Sequence, residues 1–223
     1  MRDCRLILVS VVIMFAMENP QAAGIRSEAI ESVRNGLHGA IDSPEIAGTS
    51  LLIVRDGEEV LFDAGGVADV DNSKPFGRET IVRIYSMTKP ITSVAAMILF
   101  EQGKFGLDDP VSRFIPAFAS TTVLEKDGEA TRVVPAKRQI TVRDVFRHTT
   151  GFSYGDGDPS PLKYYEREGM RYRPPAAMLP PEMSIEKGAA ALARIPALHH
   201  PGERFTYGFS TDLLGRLIEV WSG

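Results

Sequence analysis

Apolar residues Ile25, Ile30, Val33, Leu37 and Ile41 recur at helical spacing, so residues 25–42 read as an amphipathic helix. Two apolar runs follow in "GTSLLIVRDGEEVLFDAGG". They meet at Asp56-Gly57, a dipeptide that favours the tight turn of a hairpin. The second strand is expected to end at Gly65-Gly66, and "DVDNSKPFG" has loop composition. Residues 91–103, "ITSVAAMILFEQG", are dominated by apolar residues and closed by Gly103, the pattern of a buried helix. "FGLDDPVSRFIPAF" predicts a turn at Asp108-Asp109-Pro110 and a short helix. In "QITVRDVFRHTTG" a strand-like entry leads into a helix capped by Thr141, with Asp144 three residues on. Residues 153–183 are rich in Pro, Gly, Tyr and charge. They read as a long irregular excursion of the kind that carries function. Two more helices are expected in "MSIEKGAAALARIP" and "TDLLGRLIEVWSG".

The predicted order is one helix, two strands, then mostly helices. A two-stranded hairpin is marginal by itself, so either the sheet is very small or the chain stops early. The N-terminus has its own pattern. "MRDCR" is basic on balance, residues 6–17 are an apolar run, and "ENPQAAG" ends in small residues. The run is short for a membrane span and suits a secretory signal peptide over residues 1–23, cleaved near Ala23. That leaves a domain over 24–223 in a periplasmic or secreted protein, with no stable membrane span. An uncleaved anchor or a misassigned start, giving a cytoplasmic product, is the alternative.

Composition narrows the function. The chain has 223 residues, enough for one large domain or two small ones. The net charge is −4, and Lys and Arg are spread along the chain, so no nucleic-acid partner is expected. One cysteine, Cys4, excludes a disulfide framework and a cysteine-based zinc site. The four histidines form no H-E-x-x-H, and no metal or other cofactor is expected. Oligomeric state is not legible.

Two serines compete as nucleophile. "GFSYG", residues 151–155, reads G-x-S-x-G, which in an α/β-hydrolase places Ser153 on a sharp strand-to-helix turn. Before it, however, stands the helical "VRDVFRHTT", and after it "DGDPSP", which starts no helix cleanly. In "YSMTKP", residues 85–90, Ser86 and Lys89 form S-x-x-K. If a helix begins there, positions i and i+3 share a face and the amine can reach the hydroxyl. A serine hydroxyl needs such a neighbour to take its proton. Burial and the positive end of a helix both disfavour an ammonium, the condition under which a lysine accepts one. The same helix start aims backbone N–H groups at a developing oxyanion. Taken alone the motif also fits an N-capping serine and a solvated first-turn lysine.

The wider context resembles the serine β-lactamase and penicillin-binding-protein superfamily, closest to class C β-lactamases and the carboxylesterases that share their fold. "YSMTKPITSVAAMILFEQGKFGLDDPVSRFIPAF" resembles that family's nucleophile helix and following turn. "ITVRDVFRHTTGF" is similar to its L-L-x-H-T-S-G-L segment, and "PGERFTYGFSTDLLGRLIEVWSG" to its P-G-x-x-F-x-Y-S-N segment. The resemblance runs over roughly residues 25–223. It implies an α+β, β-lactamase/transpeptidase-like fold, incomplete here: helix and hairpin of the sheet plus the helical region, without C-terminal strands and helix.

The resemblance also implies roles. Ser86 matches the nucleophile, Lys89 its basic partner, and Tyr207 the tyrosine that relays the proton. Phe209 stands where the second motif has Asn, and a phenyl ring cannot make that Asn's hydrogen bond to a substrate amide. This favours an esterase-like member acting on small carboxylic esters, with Phe209 and Tyr154 as substrate contacts. Tyr164, Tyr165 and Tyr172 are further candidates on the pocket rim. His148 is read as structural. The family's third motif lies beyond the Tyr207 segment, and nothing follows Gly223. The chain as given is therefore expected to be the N-terminal half to two-thirds of a longer protein, with little activity. A β-lactamase or D-Ala-D-Ala carboxypeptidase acting on an amide substrate, a non-catalytic binding homologue, and an α/β-hydrolase using Ser153 remain alternatives.

Overall fold

Asp56 and Gly57 adopt positive φ, 53° and 85°, as in a type I′ turn. They join β1 (Gly48–Arg55) to β2 (Glu58–Asp69), paired antiparallel from Gly48 opposite Gly66 to Arg55 opposite Glu58. The register shifts between Ile53 and Val54. β2 does not end at Gly65-Gly66 but continues to Asp69 and pairs with the two-residue β3 (Lys74–Pro75). Gly66 permits this: its φ is 78°, and a Cβ there would come within 2.8 Å of Gly48 Cα. The expected first helix forms as α1 (Ser27–Ile41) and packs on β1 and β2, with Ile30 and Leu61 buried. His38 Nε2 lies 3.2 Å from Asp63 Oδ2, tying α1 to β2. Arg78 grips Glu59 through two bonds of 2.8 and 2.6 Å and lies over the Phe62 ring.

These elements belong to a compact unit ending at Arg83; a second runs from Ile84 to Gly223. The computed structural model describes residues 25–43, 45–128, 130–155, 158–173, 176–178, 180 and 182–223. The side chains of 127, 130, 171–173 and 176–178 are outside that description, as is the expected signal peptide over 1–23.

The second unit begins with α2 (Thr88–Glu101), followed by 3-10 turns at Val111–Arg113 and Pro116–Ser120. Two strands then appear where none was expected, β4 (Thr122–Asp127) and β5 (Ala130–Pro135), paired from Thr122 opposite Pro135 to Asp127 opposite Ala130. Backbone bonds of 2.8 Å, from Leu124 N to Ala197 O and from Ala197 N to Thr122 O, stitch β4 to the chain beyond. After α3 (Val142–Phe146), the supposed irregular excursion contains α4 (Leu162–Arg167) and a hairpin of β6 (Arg171–Arg173) and β7 (Ala176–Met178). The last helices are α5 (Ile185–Leu192) and α6 (Ser210–Ser222).

α6 buries Leu213, Leu214, Leu217 and Trp221, a helical stripe that packs against α2, α3 and α5. Trp221 stacks on Phe105 with ring centroids 3.7 Å apart and meets Phe114 edge-on. α2 is less buried than its composition predicts. Ala96 is its one fully buried residue, with Leu99 and Phe100 packed on the core, while Ile91, Val94 and Ile98 are 61%, 61% and 51% exposed. An apolar helix buries only the faces its neighbours cover, and within this unit one face of α2 meets the core.

Thr141 caps α3 as expected: its hydroxyl accepts from Asp144 N, and the Asp144 carboxylate accepts from Thr141 N. Asp144 does more than cap. Both its oxygens accept from Arg138, and Oδ1 also accepts from the Thr149 hydroxyl at 2.9 Å. Burial pushes the Asp144 carboxyl up, but Arg138, Thr141 and Thr149 outweigh it and hold it below the usual carboxylate range. Its stabilisation is complete above the unfolded carboxylate pKa of about 3.9 and fades as pH falls below it. Asp144→Ala is expected to cost about 3 kcal/mol, since it strands Arg138 and removes the cap. Thermal melts of both proteins between about pH 7 and about pH 3 check this, the difference narrowing at the acid end.

Candidate active site

Ser86 lies in a 3-10 turn, Tyr85–Met87, that runs directly into α2, so Ser86 and Lys89 project to one side of a continuous helical path. Tyr85, just before the serine, has φ 45°, a conformation rare for a bulky residue. Ser86 is exposed and Lys89 half-buried. Lys89 Nζ donates to Ser86 Oγ at 3.3 Å, and the Tyr207 hydroxyl donates to the same oxygen at 2.5 Å. Two proton-carrying groups thus converge on one serine oxygen from positions 3 and 121 residues away in sequence. Lys89 Nζ also lies 4.6 Å from the centre of the Tyr207 ring, so the amine, the phenol and the hydroxyl form one cluster.

Backbone pairing places Tyr207. Ser153 and Gly208 form an antiparallel bridge, Phe209 N donates to Phe152 O at 3.1 Å, and Thr206 N donates to His148 O at 2.7 Å. His199 braces the same segment. Its Nδ1 faces the carbonyl of His200 at 2.9 Å, which can only accept, so Nδ1 carries the proton and Nε2 accepts from the Thr206 hydroxyl at 2.7 Å. Burial lowers the His199 pKa, in keeping with that neutral ring.

Rings surround the tyrosine. Tyr154 meets Tyr207 edge-on at 5.7 Å, and its own hydroxyl donates to Asp212 Oδ2 at 3.5 Å. His148 stacks on Tyr207 with centroids 5.3 Å apart. Asp212 and His148 are the site residues that sequence reasoning missed or set aside. Burial pushes the Asp212 carboxyl up, against the pull of Lys89 and Tyr154. The signal for Asp212 was a lone acid in the first turn of an apolar helix, five residues after Tyr207.

Other expected positions fall elsewhere. Phe209 is 1% exposed, its ring packed at 4.8 Å on Tyr154 and 5.5 Å on Tyr165, so it has no surface to offer a substrate. Starting α6 under the core turns this side chain inward. Tyr165 is likewise buried at 1%; its hydroxyl donates to Ser153 O, and burial raises its pKa. Tyr164 is partly buried, and the Tyr172 side chain lies outside the described residues. Ser153 is 3% exposed and its Oγ accepts from Gly155 N, while Gly151 and Gly155 take φ of 86° and 87°. The G-x-S-x-G serine is therefore part of the packing, in a turn between a helix and a loop. A separate cavity of about 430 Å³ is lined by Lys126, Asp158, His200 and Arg204, and by none of Ser86, Lys89 and Tyr207. Among the described residues no cluster of His, Cys, Asp and Glu is placed to hold a metal ion, and no helix is long and apolar enough to cross a membrane.

A helix-borne serine held between a lysine and a distant tyrosine, on an α+β frame, is the arrangement of the serine β-lactamase and penicillin-binding-protein-like superfamily. The beta-lactamase family profile matches residues 33–223, and the chain belongs to that family. Protein Rv1367c of Mycobacterium tuberculosis is 37% identical over 155 residues, 69% of this chain and 36% of its own length. Esterase EstB of Burkholderia gladioli is 27% identical over 190 residues, 82% of this chain and 43% of its own. Among solved structures, EstCE1, described as a hydrolase with promiscuous acyltransferase activity, superposes with a TM-score of 0.70 at 33% identity, covering 87% of this chain and 47% of that one. The chain thus spans less than half the length of these relatives.

The bridge between Ser153 and Gly208 leaves no room for a side chain: a Cβ on Gly208 would come within 2.6 Å of Ser153 Cα, which is backbone and cannot give. Gly208→Ala is expected to destabilise by about 1–3 kcal/mol and to shift Tyr207 off Ser86. A melting curve together with a crystal structure of the variant checks both effects.

Proposed function

We propose that this chain carries the acylation machinery of a serine hydrolase acting on small carboxylic esters. The convergence of Lys89 Nζ and the Tyr207 hydroxyl on Ser86 Oγ carries the reading. Ser86 Oγ attacks the ester carbonyl carbon, and its proton passes to Lys89 Nζ or the Tyr207 oxygen, whichever of the two is in its unprotonated form and so accepts from the serine hydroxyl. Collapse of the tetrahedral adduct breaks the bond to the alkoxide, which leaves with a proton from the same pair. Water then attacks the acyl-Ser86 ester, releasing the acid and restoring the hydroxyl. An alcohol in place of water gives acyl transfer, a second reading supported by the activities named for EstCE1.

Esters rather than β-lactams or peptides are favoured because the position of the family's amide-binding Asn is held by Phe209, buried and without a hydrogen-bonding group. Turnover by the 223-residue chain is expected to be slow. Ser86 stands exposed, and charge stabilisation is weak where water reaches the reacting atoms. Export through the leader over residues 1–23 is part of the same reading, and the N-terminal mass of the protein made in a secreting host tests it.

A fluorophosphonate probe is expected to label wild type and Ser153→Ala, and to fail on Ser86→Ala. Lys89→Met is expected to slow labelling at least a hundredfold, the size of a lost general base. Label lost only with Ser153→Ala would overturn the assignment. Faster labelling by a penicillin probe than by an ester-like probe would favour the lactam-directed alternative, and no label by either would favour a binding protein. Ester hydrolysis at rates typical of whole enzymes would refute the expectation of slow turnover.

A further inference from the structure

We propose that the His148 ring is the platform that holds the Tyr207 phenol against Ser86, a positioning role that rests on the acyl-transfer reading of the site. The two rings lie nearly parallel, 16° apart, with centroids separated by 5.3 Å. Their backbones are joined as well, since Thr206 N donates to His148 O at 2.7 Å. Ring contact and backbone bond together fix both ends of the short lever that carries the phenol.

The lever needs such a support. Tyr207 is 37% exposed, so one side of its ring has water as a competing environment. Tyr154 meets it only edge-on, and Lys89 touches it through a flexible stem. His148, in contrast, is held rigidly. Its φ of 54° is one that a non-glycine residue keeps only where its surroundings impose it. The imposing bonds are present: His148 N donates to Val145 O, and the next residue, Thr149, bonds Asp144 through both its N–H and its hydroxyl at 2.9 Å. The Asp144 network thus reaches the active site through this turn.

The contact is made by the ring face and not by a hydrogen bond. His148 Nδ1 is shielded from solvent and has no hydrogen-bonding partner among the described residues. Among the described residues, Tyr207 and Phe205 face the ring and Lys89 acts on it electrostatically. Burial, then the charge of Lys89 when protonated, lowers the His148 pKa, which favours the neutral ring.

Two substitutions separate ring from backbone. Asn tolerates positive φ but has no ring, so His148→Asn keeps the turn and removes the platform. His148→Phe keeps an aromatic face and discards the nitrogens. The limiting rate of fluorophosphonate labelling is expected to fall about tenfold in His148→Asn, with the half-saturating probe concentration unchanged, and to return to within about twofold of wild type in His148→Phe. Nuclear Overhauser contacts between the Tyr207 ring and the Lys89 side chain are expected in wild type and His148→Phe and absent in His148→Asn. Wild-type contacts or a wild-type rate in folded His148→Asn would overturn the proposal, as would lost contacts in folded His148→Phe. If wild type takes no label, the acyl-transfer reading fails while the Overhauser contacts still decide the positioning role.

Discussion

The site depends on backbone pairing between residues 148–153 and residues 198–209. Leu198 N bonds Gly151 O, Gly202 N bonds Thr149 O, Thr206 N bonds His148 O, and Phe209 N bonds Phe152 O. None of these residues lies in a named strand, yet buried backbone groups must be paired, and here each segment satisfies the other. The pairing is helped by the positive φ of His148 and Gly151 on one segment and Gly202 on the other, which lets irregular chain keep in step with its partner. It carries Tyr207 to the position where the phenol meets a serine borne on a different helix.

That arrangement divides the labour between local and distant structure. Ser86 and Lys89 are brought together by helix geometry alone, so their contact requires only that α2 start where it does. Tyr207 is brought in by tertiary structure, and its contact fails if either the pairing or the Asp144 network behind it loosens. The rings of Tyr154 and His148 pack beside the phenol, one edge-on and one stacked, so packing acts with the hydrogen bond to Ser86 in orienting it.

Legibility followed the same division. The first helix, the Asp56-Gly57 turn, the Thr141 cap and the pairing of Ser86 with Lys89 rest on signals a few residues long, and each could be read directly. Tyr207 was reachable only through resemblance, because nothing local links it to Ser86. The β4–β5 hairpin was missed although Asp127-Gly128 marks its turn, since Glu125, Lys126 and Arg132 interrupt the apolar alternation. α2 was read as buried from composition, which does not reveal how many faces neighbours cover. Phe209 was expected at the substrate because it stands in the motif's Asn place, and Tyr165 on a pocket rim because it falls in the stretch read as an irregular loop. Their burial is decided by where α6 and α4 meet the core, a nonlocal fact.

The burial of Phe209 also bears on how this scaffold can change over time. The motif that residues 207–209 resemble has Asn in this place, a side chain whose amide can hydrogen-bond a ligand where a phenyl ring cannot. Here the position has been absorbed into the core, between Tyr154 and Tyr165. Phe209→Asn would leave a cavity and a buried amide, a loss of about 3–5 kcal/mol from a domain whose whole stability is of order 5–15 kcal/mol. A change of side chain at this position therefore has to come with a compensating repacking, so folding constrains what can stand there before any chemistry does.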